Sequence, residues 1–272
     1  MKSIRRPSVA ARLFVAFASL VAGCSAQQRT AVAGDVSAEV FTVRGITVEL
    51  GHGLIDLART ESVDVRAHLS KQLTRIQDTL RGPATTMTIA IGWGGVVPEI
   101  GVGGGIDPGN GHVTVNVAPK PRVGLREALL RRVPVTMAHE LNHAKRVVEG
   151  DGCWLAESTT MAEALVCEGL ADAFARQVYP DAKTPHSDAL TPAEESRMWG
   201  KIRTRVGDDL PREDFPRWFM SGGRGGIPQW TGYTIGFHIV RSYLRTHPGT
   251  TAAEITLMDA DELIANSGYD AR

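Results

Sequence analysis

The chain has 272 residues, 43% of them apolar and 22% charged, with 29 Gly, 14 Pro and 3 Cys. That composition excludes collagen-like, disulfide-scaffold and wholly disordered classes and leaves enough chain for a substantial core. The formal charge is zero, but setting aside the four basic residues of segment 1–23 leaves 26 basic against 30 acidic residues. A mildly acidic body has no electrostatic footprint for nucleic acid, which is excluded as a partner.

Lys2, Arg5 and Arg6 precede the apolar run Leu13–Ala22, which is too short to span a bilayer and has the dimensions of a secretory signal. Val21-Ala22-Gly23-Cys24 has the form of a bacterial lipobox, in which Cys24 is lipidated and becomes the new N-terminus. Residues 1–23 therefore read as a lipoprotein signal peptide, 24–40 as a tether and 41–272 as one domain. The expected location is extracytoplasmic, with the N-terminal lipid in a bacterial membrane. Ser25 rather than Asp after the cysteine points to the periplasmic side of the outer membrane. In that oxidising compartment Cys153 and Cys167, 14 positions apart, either close a disulfide worth about 3 kcal/mol in the chain-entropy model or stand as two buried thiols.

Along the body, Ile46, Val48 and Leu50 alternate as in a strand. Leu69, Leu73, Ile76 and Leu80 recur at helical spacing, and Gly82-Pro83 closes that helix. Met87, Ile89 and Ile91 make a second alternating run and Val113, Val115 and Val117 a third, separated by a Gly-rich long turn or hairpin over Trp93–Gly111. No Gly-Lys-Ser/Thr follows those glycines, so they are not a phosphate loop. From Pro121 the chain reads as mostly helical. Strands first and helices afterwards predict an α+β fold.

His139-Glu140-x-x-His143 lies in a helix that opens near Pro134 and stops at Gly150. Met137, Leu141, Ala144 and Val148 form its core stripe. The two imidazoles stand one turn apart on another face, where they can share a Zn²⁺, and Glu140 can reach a water at the open metal position. A third ligand is needed, and a further predicted helix, Thr159–Tyr179, offers Glu163 and Glu168. Five residues apart, they cannot both face one metal. Glu168 is preferred, because Asp172 one turn on can orient a metal-ligating imidazole, and Ala164, Ala171 and Ala175 allow close helix approach. Glu163 is the alternative.

His139-Glu140-x-x-His143-Ala144-x-Arg146, Glu168-Gly169-Leu170-Ala171, Tyr233-Thr234-Ile235-Gly236 and Ser267-Gly268-Tyr269 together resemble the gluzincin-type predicted zinc-dependent proteases of domain-of-unknown-function family 2268. Phe237 departs from the Tyr expected there in relatives. The resemblance implies a zincin-like fold, with a small N-terminal sheet packed on the active-site helix and a mostly helical C-terminal half. It also implies Zn²⁺ held by His139, His143 and Glu168, with Asp172 behind the first histidine and Glu140 as general base. Tyr233 is a candidate donor to an oxyanion, with His238 as its rival; His112 reads as a turn residue. The Val113–Val117 strand is expected at the sheet edge, holding an extended peptide. The function predicted is a membrane-anchored zinc peptidase acting on a peptide or protein substrate. The alternative is a non-catalytic zinc-containing lipoprotein that binds a peptide or protein partner.

Overall fold

The computed structural model describes residues 37–150, 152, 159–220 and 224–269. The signal segment, Cys24, most of the expected tether and Cys153 lie outside the described residues. Two extended segments, β1 (Ser37–Val43) and β2 (Ile46–Gly51), form an antiparallel hairpin closed by Arg44-Gly45, both at positive φ. Residues 37–40 of the expected tether are thus sheet. Two helices follow, α1 (His52–Thr60) and α2 (Val65–Leu80), the second capped by Asp64, whose carboxylate accepts from the Ala67 amide. Three more strands, β3 (Thr85–Ile91), β4 (Val102–Ile106) and β5 (Val113–Val117), complete a five-stranded sheet of order β1-β2-β3-β5-β4. Its centre is parallel and both outer pairs are antiparallel.

The period-two runs explain which face is covered. Ile46, Val48, Leu50, Met87, Ile89, Val113, Val115 and Val117 are all fully buried, while Thr47, Thr88, Thr114 and Asn116 between them stay partly exposed. On that outer face His112 hydrogen-bonds to the Thr86 and Thr88 hydroxyls, far from any chemistry. One expectation is overturned here. β5 is paired on both sides, by β3 and by β4, so it cannot be the edge. The edge is β4, a strand hidden from sequence reading because its Val-Gly-Gly-Gly-Ile run has no alternation to detect.

The C-terminal half is helical: α3 (Val133–Glu149), α4 (Met161–Val178), α5 (Pro192–Ile202), α6 (Phe215–Phe219), α7 (Thr231–Thr246) and α8 (Ala260–Asn266). The α+β reading therefore holds. α3 packs on β4 and β5 and against α4, and α4 packs along α7. Helical backbone already begins at Leu125 and passes through a π-turn, Ala128–Arg132, before α3. Pro134 sits inside that run and cannot bond the carbonyl four residues back, at Leu130; the His68 side chain takes it up. Met137, Leu141 and Ala144 face the core as expected, but Val148 is 46% exposed because the helix overhangs the sheet end at Gly111.

Two glycines set the distance between α4 and α7. A Cβ added at Gly169 would lie 2.2 Å from the Gly236 carbonyl oxygen, and one at Gly236 would lie 2.1 Å from that of Leu165. No larger residue fits without prising the helices apart. No helix among the described residues is long and apolar enough to cross a membrane.

Gly236→Ala is accordingly expected to destabilise the fold by about 1–3 kcal/mol, the usual cost of overpacking. The check is the denaturant midpoint, which should fall; a wild-type midpoint would show that the two helices do not meet at these glycines.

Candidate metal centre

α3 and α4 meet face to face at the middle of their lengths. His139 and His143, one turn apart on α3, direct their Nε2 atoms to a common point, 2.9 Å from each other. Glu168 Oε2, from α4, lies 3.3 Å from the first and 3.5 Å from the second. A tetrahedral zinc with bonds of about 2.0–2.1 Å separates its ligand atoms by about 3.3 Å, so this triangle is the right size. The donor set, two imidazoles and a carboxylate, suits that ion as well. A further observation favours a cation here. Glu168 Oε2 is fully buried, and it is the one carboxylate oxygen among the described residues that is buried without a hydrogen-bond partner. Its neighbours are the two imidazole nitrogens, and a cation between the three atoms would serve all of them.

Each imidazole is held by its other nitrogen. Asp172, 1% exposed, accepts at Oδ1 from His139 Nδ1 at 2.9 Å and from His186 Nε2 at 3.2 Å, and at Oδ2 from the Ser187 hydroxyl at 2.7 Å. His143 Nδ1 donates to Cys167 Sγ at 3.1 Å. Cys167 is disulfide-bonded, so its sulfur can only accept. Both imidazoles therefore keep Nε2 for the shared centre, the arrangement that fixes tautomer and orientation in metal-ligating histidines. His139, Asp172 and His186 also converge closely enough to hold an ion. Their polar atoms, however, are already joined to one another by hydrogen bonds, and Asp172 has no oxygen left unpartnered.

Electrostatics follow from this burial. Loss of solvent by itself lowers His139, but the neighbouring carboxylates of Asp172 and Glu168 outweigh it and hold the imidazole well above its usual range. For Glu168 burial pushes upward, but His143 and His139 bring it down to about 2. Burial also opposes ionisation of Asp172, and His186 and His139 reverse that to leave it far below the usual carboxylate range.

Glu140 stands apart from the ligand triangle. It is buried at 6% exposure and lies on the wall of a cavity of about 320 Å³ that His139 also lines. Burial raises its carboxyl above the usual range, against the pull of His139 and His143. A Cβ at Gly104, on edge strand β4, would fall 2.6 Å from its Cγ and Oε1. The strand's missing side chains thus leave room for this one. Tyr233 lines the same cavity from α7, its ring 4.8 Å from His186. Burial, then the charges of Glu168, Asp172 and Glu140, hold its phenol well above the usual range, so it stays a neutral donor.

Other sequence candidates lie elsewhere. Glu163 is the third helical residue of α4 and caps it, accepting from the Thr160 amide at 2.6 Å while its own amide bonds the Thr160 hydroxyl. His238 points away from the cavity, to Glu195 at 2.8 Å and Asp188 at 3.3 Å. Phe237 lies between the guanidinium groups of Arg176 and Arg241. Sequence reasoning missed His186 and Ser187, which come from a non-periodic loop after α4, and it missed the contact between Gly104 and Glu140.

A family model described as "Predicted Zn-dependent protease (DUF2268)" matches residues 113–265, the span that contains β5, α3, α4 and α7. The "Uncharacterized protein YjfC" of Bacillus subtilis (strain 168) is 27% identical over 147 residues, covering 51% of this chain and 48% of that protein. This chain therefore spans about half the length of the curated relative it matches. No solved structure matches.

The raised His139 gives a directional test. Metal-free protein at neutral pH holds a proton on that imidazole, and a cation must displace it. Zinc binding should release about one proton at pH 7, and affinity should rise with pH up to the elevated His139 value. Calorimetric titration in buffers of different ionisation enthalpy measures this; zinc uptake with no proton release would contradict the arrangement.

Proposed function

The chain belongs to the predicted Zn-dependent protease family whose model it matches, and on that premise we propose that it is a zinc peptidase. The carrying observation is the unpartnered Glu168 oxygen facing two imidazoles whose tautomers are already set. His139, His143 and Glu168 would hold the ion, which when bound supplies Lewis acidity and a water of lowered pKa. Glu140 is close to this centre without belonging to the ligand set, and burial raises its carboxyl in the direction that favours accepting a proton. It takes the proton of the attacking water and returns it to the departing amine. Tyr233, neutral and on the cavity wall, donates to the oxygen that gains charge as the carbonyl is attacked. Asp172 holds His139 throughout.

An extended peptide is best accommodated along β4. Its outer edge is bridged by Val97 at Val102 but has no strand beyond that, and a Cβ at Gly105 would meet no other atom within 4 Å. Strand addition there brings a substrate carbonyl past Glu140, which touches the same strand at Gly104. We further propose that the enzyme works outside the cytoplasm on a lipid anchor at Cys24, a reading supported by the basic, apolar and lipobox segments of residues 1–24.

Three substitutions test the mechanism. Glu140→Gln should keep zinc and fold but lower peptide hydrolysis on the order of 10²–10⁴-fold. Glu168→Gln should lose zinc and activity together, and Glu163→Gln should cost only part of a helix cap, about 1 kcal/mol. Zinc content and hydrolysis of a peptide library under one buffer measure all three. Full activity in Glu140→Gln would overturn the peptidase reading, and zinc lost from Glu163→Gln but kept by Glu168→Gln would overturn the ligand set.

A further inference from the structure

The cavity beside the metal centre has two unlike ends. Near the metal it carries Glu140 and Asp172, the only acidic residues of its described lining. Its walls are largely apolar, formed by Val96, Val97, Ile100, Val135, Met220 and Trp230. At the other end stand two basic side chains, Arg132 and Lys183. Arg132 closes the π-turn that leads into α3, two helical turns before His139. Its guanidinium is fixed by Glu127, 3.1 Å from Nη2, and by the Lys183 carbonyl, which accepts from Nη1 at 3.2 Å. Its Nε–H is buried and has no hydrogen-bond partner. Among the described residues Lys183 has no carboxylate partner. Glu127 is shared with Arg131, 3.3 Å away, so it offsets at most one positive charge and this part of the cavity stays net positive.

A held guanidinium and an ammonium without a carboxylate partner, both on the wall of a largely apolar cavity, favour an anion between them. We propose that Arg132 and Lys183 form a subsite for a carboxylate of the substrate, and that this selects which peptides are cleaved. The inference rests on the peptidase reading and deepens it. Seven residues of helix separate Arg132 from His139, a rise of about 10 Å. Extended peptide advances about 3.3–3.6 Å per residue, so the recognised group lies about three residues from the scissile bond. The apolar walls between the two ends favour large apolar side chains at the intervening positions. The carboxylate is either a peptide C-terminus or an Asp or Glu side chain, and the two sources share one chemistry here: an anion meeting the Arg132 and Lys183 cations.

The test is a set of hexapeptides with an apolar pair around the central bond. One series carries Glu or Gln three residues from that bond, and another ends in a free acid or an amide at the same distance. Hydrolysis by the zinc-loaded protein is expected to favour the anionic member of one series by about 10–100-fold in kcat/KM, and the series that responds identifies the source. In Arg132→Gln and Lys183→Gln the anionic-to-neutral ratio should fall toward one, whatever the absolute rate. In Glu127→Gln, which frees the guanidinium of its counter-charge, the preference should persist. Binding of the same peptides to zinc-loaded Glu140→Gln protein, followed by tryptophan fluorescence with Trp230 on the cavity wall, keeps the two readings separable. If no peptide is cleaved by wild type yet the anionic peptides bind preferentially and lose that preference in Arg132→Gln, the subsite stands and the peptidase reading fails. If peptides are cleaved or bound with an anionic-to-neutral ratio near one, the subsite is overturned. A ratio unmoved by both substitutions would likewise place the selectivity elsewhere and overturn it.

Discussion

Glu168 and Asp172 lie one turn apart in the middle of α4, flanked by apolar residues from Ala164 to Ala175 and each 1% exposed, and the surrounding architecture answers the cost of burying them. An isolated carboxylate moved into a protein interior loses several kcal/mol of hydration, recovered only through well-placed partners. Asp172 recovers it from inside the protein through His139, His186 and Ser187. Glu168 recovers it from His143 and His139, but by electrostatics alone at Oε2, which lies between their two nitrogens without a hydrogen bond. The asymmetry separates their work: Asp172 organises the histidines, while Glu168 supplies the charge that a cation balances. Removing Asp172 would leave His139 Nδ1, His186 Nε2 and the Ser187 hydroxyl without their shared acceptor, which ties the stability of the α3–α4 pair to the site between them.

Glycine decides how closely the other elements approach this pair. Gly169 and Gly236 let α7 settle on α4, which brings Tyr233 to the cavity beside His186. Gly104 does the same for the sheet, allowing the backbone of β4 to touch the Glu140 side chain. Glu140 and the edge strand are therefore fixed relative to each other by direct contact, and positional precision of this kind is what the proposed roles of base and substrate-holding edge would require. Trp230, held at φ 64° just ahead of α7, completes the apolar wall. The left-handed backbone is uncommon for so large a side chain and is retained here at the rim of the site.

Much of this was readable from the chain because it rests on short-range periodicity. The alternating valines and isoleucines of β2, β3 and β5 announce a one-sided sheet, and the spacing of His139, Glu140 and His143 on a helix separates ligands from base. Preference for Glu168 over Glu163 also follows from helix geometry, and the capping role of Glu163 accounts for the residue left over. What stayed hidden depends on contacts distant in sequence or on backbone without side chains. Three consecutive glycines in β4 give no pattern, so the edge strand was assigned to β5. His186 and Ser187 lie in a non-periodic loop held by Asp172, 14 and 15 residues away, and by Thr234, whose hydroxyl donates to the His186 carbonyl. Val148 has the right periodicity for the core but sits beyond the end of the sheet that would cover it. The π-turn before α3 is equally silent, because it arises from where Pro134 falls in a helix that had already begun.

The central claim is that two imidazoles and one carboxylate, from α3 and α4, hold the metal, with His186 and Cys167 behind them. X-ray absorption at the zinc edge of the zinc-loaded protein tests it most directly. The account predicts a shell of only nitrogen and oxygen at about 2.0–2.1 Å, with outer-shell scattering from two imidazoles. A sulfur shell at about 2.3 Å, or scattering from three imidazoles, would contradict it, the first by bringing a cysteine into the ligand set and the second by bringing in His186.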